Sequence, residues 1–359
     1  MRVWEVSFRL KSPALLTKRR TERGFKEALD YIPGNSLRGA IVSSLYYHGR
    51  IGEERLGQEA EDPRILCTAG FPLVGGRKLW PAHPFLYECK ICKEVVESPD
   101  FLPELEGGRE PVPPSACREG HQALDLLHPR CRSFGKTEEQ EKEPGVSFTS
   151  SVCVGISKDR GASEGGLLYE YDAIDAGQEF WFRLSCEDPP EKSFEFWVGR
   201  GVSRGFGWAE ITGVREMDVK EEAERLGSLL RGQERVVMYA LSPLLSVRGQ
   251  LCAPWPGRIG LSDAAGRLGT GEEGAVEVER VYGRVVLHDG GWDMRRKKRR
   301  PLLLAVAQGS LAVCRFSKSV SPEMLVALSV LGTVEEVGEM KLACINQLAP
   351  LRWVMEEWR

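Results

Sequence analysis

"YIPGNSLRGA" (Tyr31–Ala40) is the stretch from which the fold is read. Pro33 and Gly34 turn the chain, and Asn35 and Ser36 are both helix-capping residue types. Leu37, Ile41 and Leu45 follow at helical spacing, and Gly49 supplies a stop. The pattern predicts a helix over 35–49, capped by Asn35 or Ser36. Upstream lies a basic loop, "TKRRTERGFK" (Thr17–Lys26), which carries Lys18, Arg19, Arg20, Arg23 and Lys26. Before that, "VWEVSFRL" (Val3–Leu10) alternates apolar and polar residues and predicts a strand. A helix start presents unpaired amides and the positive end of the helix dipole. Behind a basic loop it is suited to a phosphate, with Ser36 and Arg38 facing it.

Working outward, "VSFTSSVCVGI" (146–156), "EFWFRLSC" (179–186) and "FGWAEITGV" (206–214) predict strands, and 190–198 a short helix. The order β-α-β-β-α-β is the ferredoxin-like, RNA-recognition-motif-like arrangement of an α+β fold. The second half repeats the pattern in degenerate form. "VVMYALSPLLSV" (236–247) matches the first strand and its exit, and "AVAQGSLAVCRF" (305–316) matches 173–184. A helix over 322–332 follows, and "VGEMKLACI" (337–345) matches the last strand. This predicts a core from 1–49 and 146–216, an insertion at 50–145, a linker at 217–235 and a second ferredoxin-like unit at 236–359.

A chain of 359 residues with 42% hydrophobic and 28% charged residues can bury a core in two domains. No apolar run approaches the ~18 residues of a membrane span. "MRVWEVSFRL" carries charge where a secretory signal would be apolar. The expectation is a cytoplasmic protein without a membrane partner. Net charge is −3, so any polyanion site has to come from local clusters, of which "MRRKKRR" (Met294–Arg300) is a second.

Four of the ten cysteines and three of the five histidines fall between His83 and Cys131. "CKIC", "CREGH" and "HPRC" place Cys and His in pairs with two or three residues between them, a spacing that suits tetrahedral zinc. Candidate ligands are Cys89, Cys92, Cys117, His121, His128 and Cys131, four of the six. Cys89, Cys92 and Cys131 are favoured, with the fourth from His128, His121 or Cys117. The surrounding "LPELEGGREPVPPSACREG" is too polar and Pro/Gly-rich to build a core, so a structural Zn2+ would supply its folding energy. The remaining cysteines sit mostly in apolar stretches and read as small buried hydrophobes.

"GRGVSRGFGWAEI" (Gly199–Ile211) interleaves four glycines with Arg200 and Arg204. Glycine permits φ > 0 and close approach, so successive amides can cradle an anion. The segment is neither a P-loop, lacking G-K-[ST], nor a dinucleotide fingerprint, since its strand follows rather than precedes the glycines. Flanking arginines, with Phe206 and Trp208 as stacking rings, point to a nucleic-acid backbone.

"LDYIPGNSLRGAI", "TSSVCVGISKDRGASEGGLLYEYDAIDAGQEFWFRL" and "GRGVSRGFGWAEI" resemble the three signature regions of the repeat-associated mysterious proteins, the RAMP superfamily of CRISPR effector subunits. The likeness covers about 3–48 and 146–214, with a degenerate version over 236–345, and the Cys/His insertion resembles the zinc-bearing insert of some type III members. It implies a subunit of a type III interference complex that binds single-stranded CRISPR RNA among other subunits, in reach of target RNA. Carried onto this chain, Ser36, Arg38, Gly199, Arg200, Gly201, Ser203, Arg204 and Gly205 would hold the guide, with the basic loop draped over it. Cleaving members carry an aspartate in that loop. Here it has Glu22 and none before Asp30, which implies a non-catalytic subunit. Such a subunit either lines the guide as a repeated backbone element or caps one end. The alternatives are a metal-assisted RAMP ribonuclease and a zinc-stabilised protein-interaction scaffold without direct RNA contact.

Overall fold

The computed structural model describes residues 2–18, 25–26, 28–127, 130–132, 145–156, 159, 163–248, 251–269, 274–293, 296–317 and 320–358. Arg19, Arg20, Glu22, Arg23 and His128 lie outside them, and Lys26 is described for its backbone alone. The fold is α+β.

The alternation in β1 (Arg2–Leu10) sends Val6, Phe8 and Leu10 to one face. There they meet Leu37, Ile41 and Leu45 of α1 (Gly34–Tyr47). β2 (Leu66–Cys67) and β3 (Phe71–Val74) pair with β4 (Glu179–Cys186). β4 pairs with β1, placing Phe8 opposite Phe180 and Val6 opposite Phe182. β5 (Glu195–Trp197) and β6 (Trp208–Met217) complete the sheet in the antiparallel order β5-β6-β1-β4-β3. Two expectations are corrected here. Residues 148–156 do not enter this sheet but form a hairpin with 163–174, and the short, Pro- and Gly-broken segment 66–74 takes their place. Residues 190–198 form no helix, because Phe194, Phe196 and Val198 alternate with period two and 195–197 is an edge strand.

α2 (Val219–Leu229), capped by Asp218 through the amides of Lys220 and Glu221, leads to the second half. There β7 (Val236–Ala240), α3 (Ser262–Leu268), β8 (Ala275–Tyr282), β9 (Leu311–Phe316), α4 (Pro322–Leu331) and β10 (Leu348–Pro350) follow in turn. Their sheet runs β8-β9-β7-β10. With the short edge strand β5 set aside, in both sheets the last strand borders the first, and the first borders the strand that precedes the last in the chain. Here too one expectation is corrected. The final strand is 348–350, and 340–345 instead turns back on 333–337 as a separate hairpin.

The two halves share their interior. β4 is buried on both faces from Phe180 to Cys186. One face holds Phe180 and Phe182 over α1. From the other, Trp181 packs edge-on against Trp80 at 4.7 Å, and Trp80 in turn meets Tyr239 of β7. α4 is buried from Met324 to Leu331. Its Val330 and Leu331 join the first core and its Met324, Leu325 and Val326 the second. The first sheet has no α-helix of its own between β4 and β6, only a single 3-10 turn at Val202–Arg204, and α4 covers it from the other half. A helix apolar on every side fits such a position.

Candidate functional site

A groove of about 1870 Å³ opens where the two halves meet. Its walls are the first turns of α1, a short helix at Glu53–Glu61, the loop around Leu15–Lys18, the glycine loop at Gly199–Val202 and, from the second half, one end of the hairpin of Val285–Asp289 and Leu302–Val306, which lines it through 286–293, Arg299 and Arg300. Of the expected RNA-contacting residues, Lys18, Ser36, Arg38, Gly199 and Arg200 line it. Ser203 and Arg204 lie on the exposed outer part of the same loop.

α1 begins one residue earlier than expected. Pro33 takes the cap position and Gly34 opens the helix, with no side-chain cap. A Cβ at Gly34 would lie 3.0 Å from the Cys67 carbonyl oxygen, so glycine lets the helix start this close to β2 without a shift of either. Asn35 turns outward, its Oδ1 accepting from the Ser36 amide at 2.8 Å and its Nδ2 donating to the Asp289 carbonyl at 2.8 Å. Arg38 departs from expectation. Its guanidinium donates to the carbonyls of Ile65 and Glu59 at 2.7 Å and pairs with the Glu59 carboxylate at 2.9 Å. Glu59 is 2% exposed, so Arg38 neutralises a buried acid instead of facing solvent.

The glycine loop holds four left-handed residues, Gly199, Gly201, Gly205 and Gly207. Two of them answer a steric need. A Cβ would lie 2.8 Å from the Leu15 carbonyl oxygen at Gly199, and 2.0 Å from that of Val198 at Gly207. The amides of Arg200 and Gly207 donate to Leu15 and Pro13, and those of Arg204, Gly205 and Phe206 stay within the loop. Those five amides are therefore taken up by the protein itself. The glycines let the loop lie on the strand exit at 13–15, and the cationic character comes from side chains. Arg204 is exposed beside the rings of Tyr171 and Phe206, and the Arg200 side chain is 58% exposed. Trp197 and Trp208 face each other across β5 and β6, each more than one-third exposed.

The basic run closes the groove from the second half. Arg299 pairs with Asp289, Arg300 and Arg296 pair with Asp293 at 3.4 and 3.6 Å, and Arg200 reaches Asp289 at 3.7 Å. Burial alone would raise the Asp289 carboxyl, but the Arg299 hydrogen bond, the Gly291 amide and the charges of Arg299 and Arg200 hold it below the usual carboxylate range. Beside it, burial draws His288 down to about 4. Asp289 and Asp293 were not among the candidates from sequence. The signal available was "HDGGWD" (His288–Asp293) directly before the basic run, two acids in position to pair with it across a turn.

The metal candidates separate. Cys89, Cys92, Cys117 and His121 bring their ligand atoms within 4.8 Å of one another. Sγ–Sγ is 3.7 Å for Cys92–Cys117, and Sγ–Nδ1 is 3.5 and 3.8 Å from His121 to Cys117 and Cys89. Tetrahedral zinc at ~2.3 Å from sulfur and ~2.0 Å from nitrogen requires edges of about 3.5–3.8 Å, so these residues fit a metal ion. A left-handed Lys93 directly after the first pair and a left-handed Gly120 inside the second set the two turns. The Cys92 amide hydrogen bond, outweighing burial, draws the Cys89 thiol down to about 7. Cys131, favoured from sequence, lies elsewhere. It sits in the main core, its amide donating to Asp30 Oδ2 at 2.5 Å, and burial keeps its thiol protonated. Three ligand pairs in sequence could not separate a chelating turn from a buried cysteine that follows one.

No protein-family model and no curated protein sequence matches the chain. Among solved structures it aligns with a chain of the cryo-EM structure of the type III-B Cmr-beta bound to cognate target RNA, at 13% identity over 86% of each chain and a TM-score of 0.48. A second state, bound to cognate target RNA and AMPPnP, gives 12% identity over 86% of each and 0.46. The Csm3–Csm4 subcomplex of the type III-A CRISPR-Cas interference complex gives 14% identity over 98% of this chain and 99% of that chain, at 0.43. What this chain is similar to, among solved structures, is the set of type III Cmr and Csm subunits.

Proposed function

We propose that this chain is a RAMP-superfamily structural subunit of a type III CRISPR interference complex, and that it holds single-stranded guide RNA in the groove between its halves. The observation that carries the reading is convergence. The glycine loop with Arg200, the start of α1 and the basic hairpin of the second half come from distant parts of the chain and meet on one groove, with Arg204 on the loop's outer side. Cations at its rim beside exposed Trp197 and Trp208 suit a strand with regularly spaced phosphates and unstacked bases. The strand order shared by the two sheets supports a ferredoxin-like reading of both halves, and with it the double-core, end-capping role over the repeated backbone role. The reading includes other complex subunits as partners and target RNA within reach.

The proposed role is binding without strand cleavage. Asp30 is 9% exposed and accepts from the Cys131 amide, and burial raises its carboxyl above the usual range, which disfavours the charged base that cleavage would need. The Cys89–Cys92–Cys117–His121 cluster would hold a structural zinc. Its set of three thiolates and one imidazole leaves no open position at a tetrahedral ion.

Binding of labelled single-stranded RNA by the purified chain, titrated over salt, tests the reading. Affinity should fall with a log–log slope of about −0.7 per phosphate neutralised. The double substitution Arg200→Glu, Arg204→Glu should weaken binding at least about tenfold, the effect of reversing two contacts worth about 1 kcal/mol each. Binding indifferent to salt and to that substitution sinks the proposal.

A further inference from the structure

A carboxylate already lies where this groove would take an anion. Asp289 Oδ2 is bonded to the Arg299 guanidinium and stands 3.7 Å from that of Arg200, and Oδ1 accepts from the Gly291 amide at 3.1 Å. The backbone carbonyl of Asp289 accepts from Asn35 at the first turn of α1, which fixes the hairpin against that helix. Two guanidiniums from different halves of the chain and one amide thus converge on two oxygens about one carboxylate apart. The same donor set matches the two non-bridging oxygens of a phosphodiester. The Arg200 and Arg299 side chains remain 58% and 45% exposed, so a ligand in the groove can reach both from solvent.

We propose that Arg200 and Arg299 form a single phosphate seat shared by the two halves, which Asp289 occupies in the RNA-free chain and yields to a backbone phosphate of the bound strand. The inference rests on the guide-RNA reading and adds to it a residue that opposes binding. Its Arg200 arm is the one that opens. At 3.7 Å that contact is an ion pair without a hydrogen bond, so recruiting Arg200 to a phosphate breaks no hydrogen bond. Arg299 keeps the carboxylate until the phosphate competes for it. Without the strand, Asp289 holds two cations together that would otherwise repel. With the strand, its charge stands against the incoming phosphate.

The seat makes an unusual demand, that removal of a groove residue tighten binding. Asp289→Asn keeps an acceptor for the Gly291 amide and removes the charge, and Asp289→Ser is the second variant should the first fail to fold. Each is compared with the native chain for binding of a single-stranded RNA oligonucleotide across salt, with thermal melting to confirm folding. At about 0.15 M salt the neutral variants should bind roughly three- to tenfold tighter, the effect of one like charge at the rim of a groove. Their log–log salt slope should steepen by about 0.7, one further phosphate neutralised. Arg299→Gln should weaken binding. Equal or weaker binding by folded Asp289→Asn and Asp289→Ser overturns the seat, since Asp289 would then only fasten the hairpin. If Arg200→Glu abolishes binding while the neutral variants bind no tighter, the seat alone fails. If Arg200→Glu leaves binding unchanged, the guide-RNA reading fails and the seat with it.

Discussion

Gln347 and Cys67 are joined by a buried hydrogen bond, Gln347 Nε2 donating to the Cys67 carbonyl at 3.0 Å. The same amide nitrogen donates to the Val330 carbonyl at 2.5 Å. One fully buried side chain thus ties the turn before β10 to β2 of the first sheet and to the end of α4. Gln347→Leu should cost about 2–4 kcal/mol, because two buried carbonyls lose their donor. Since those carbonyls belong to different halves, denaturant unfolding should stay a single transition shifted to lower midpoint. A selective early loss of the second half would show the halves to be independent instead.

Arg38 should behave as a stability residue. Arg38→Ala removes one of the two guanidiniums that pair with the buried Glu59, the other being Arg55 at 3.3 Å, and should cost about 1.5–3 kcal/mol, the worth of a hydrogen bond to a charged group. Arg38→Ala combined with Glu59→Gln should recover most of that loss. The check is melting of the two variants alongside RNA affinity at a temperature where both are folded. A large loss of affinity in the folded double variant would put Arg38 back among the phosphate contacts.

His288 sets an acid limit on stability. Burial lowers its folded value to about 4 from an ordinary 6.5, so between those values the unfolded chain binds the proton and the folded chain resists it. The stabilisation of the neutral ring is complete above pH 6.5 and is lost as pH falls toward 4. The loss amounts to at most about 3 kcal/mol. His288→Gln should flatten the pH dependence of the unfolding midpoint across that window. An unchanged slope would show that His288 does not carry it.

The cysteine cluster predicts about one zinc per chain by elemental analysis of purified protein. Cys117→Ser should lose the metal, and Cys131→Ser should retain it while lowering the melting temperature through the core. Retention of a full equivalent of zinc by Cys117→Ser would overturn the ligand set.

Legibility followed periodicity and chain distance. The alternation of 3–10 and 179–186 and the apolar run 322–331 announced their elements, because each buries a long face. Residues 66–74 did not, being two short strands around Thr68, Ala69 and Gly70 that gain their place only by pairing with β4. Residues 148–156 alternate as well as any strand in the chain, yet pair only with their neighbours, since alternation gives no partner. At the site, Arg200 was evident from its glycines. Its engagement by Asp289 was not, because nothing local at either position encodes a contact made by the folding together of two halves. The pairing of Arg38 was hidden for the same reason, its partner Glu59 lying on the separate short helix Glu53–Glu61.

The glycines of the loop provide a last discrimination, between a nest that offers amides to an anion and a loop that must lie close to the 13–15 segment. All four glycines have φ near 80°, so any replacement carries the left-handed penalty of roughly 1–2 kcal/mol. At Gly205 that is the whole cost, for no atom lies within 4 Å of an added Cβ. At Gly207 the Cβ would meet the Val198 carbonyl oxygen at 2.0 Å, and the loop would have to leave the strand exit that Pro13 and Leu15 provide. Gly207→Ala should therefore destabilise the chain well beyond Gly205→Ala, and in the folded fraction should weaken RNA binding by displacing Arg200. Gly205→Ala should leave RNA affinity nearly unchanged. Thermal melting and RNA titration of the pair decide the matter. Equal effects on affinity would mean that the amides themselves grip the strand, and the guanidiniums would lose their place as the principal contacts.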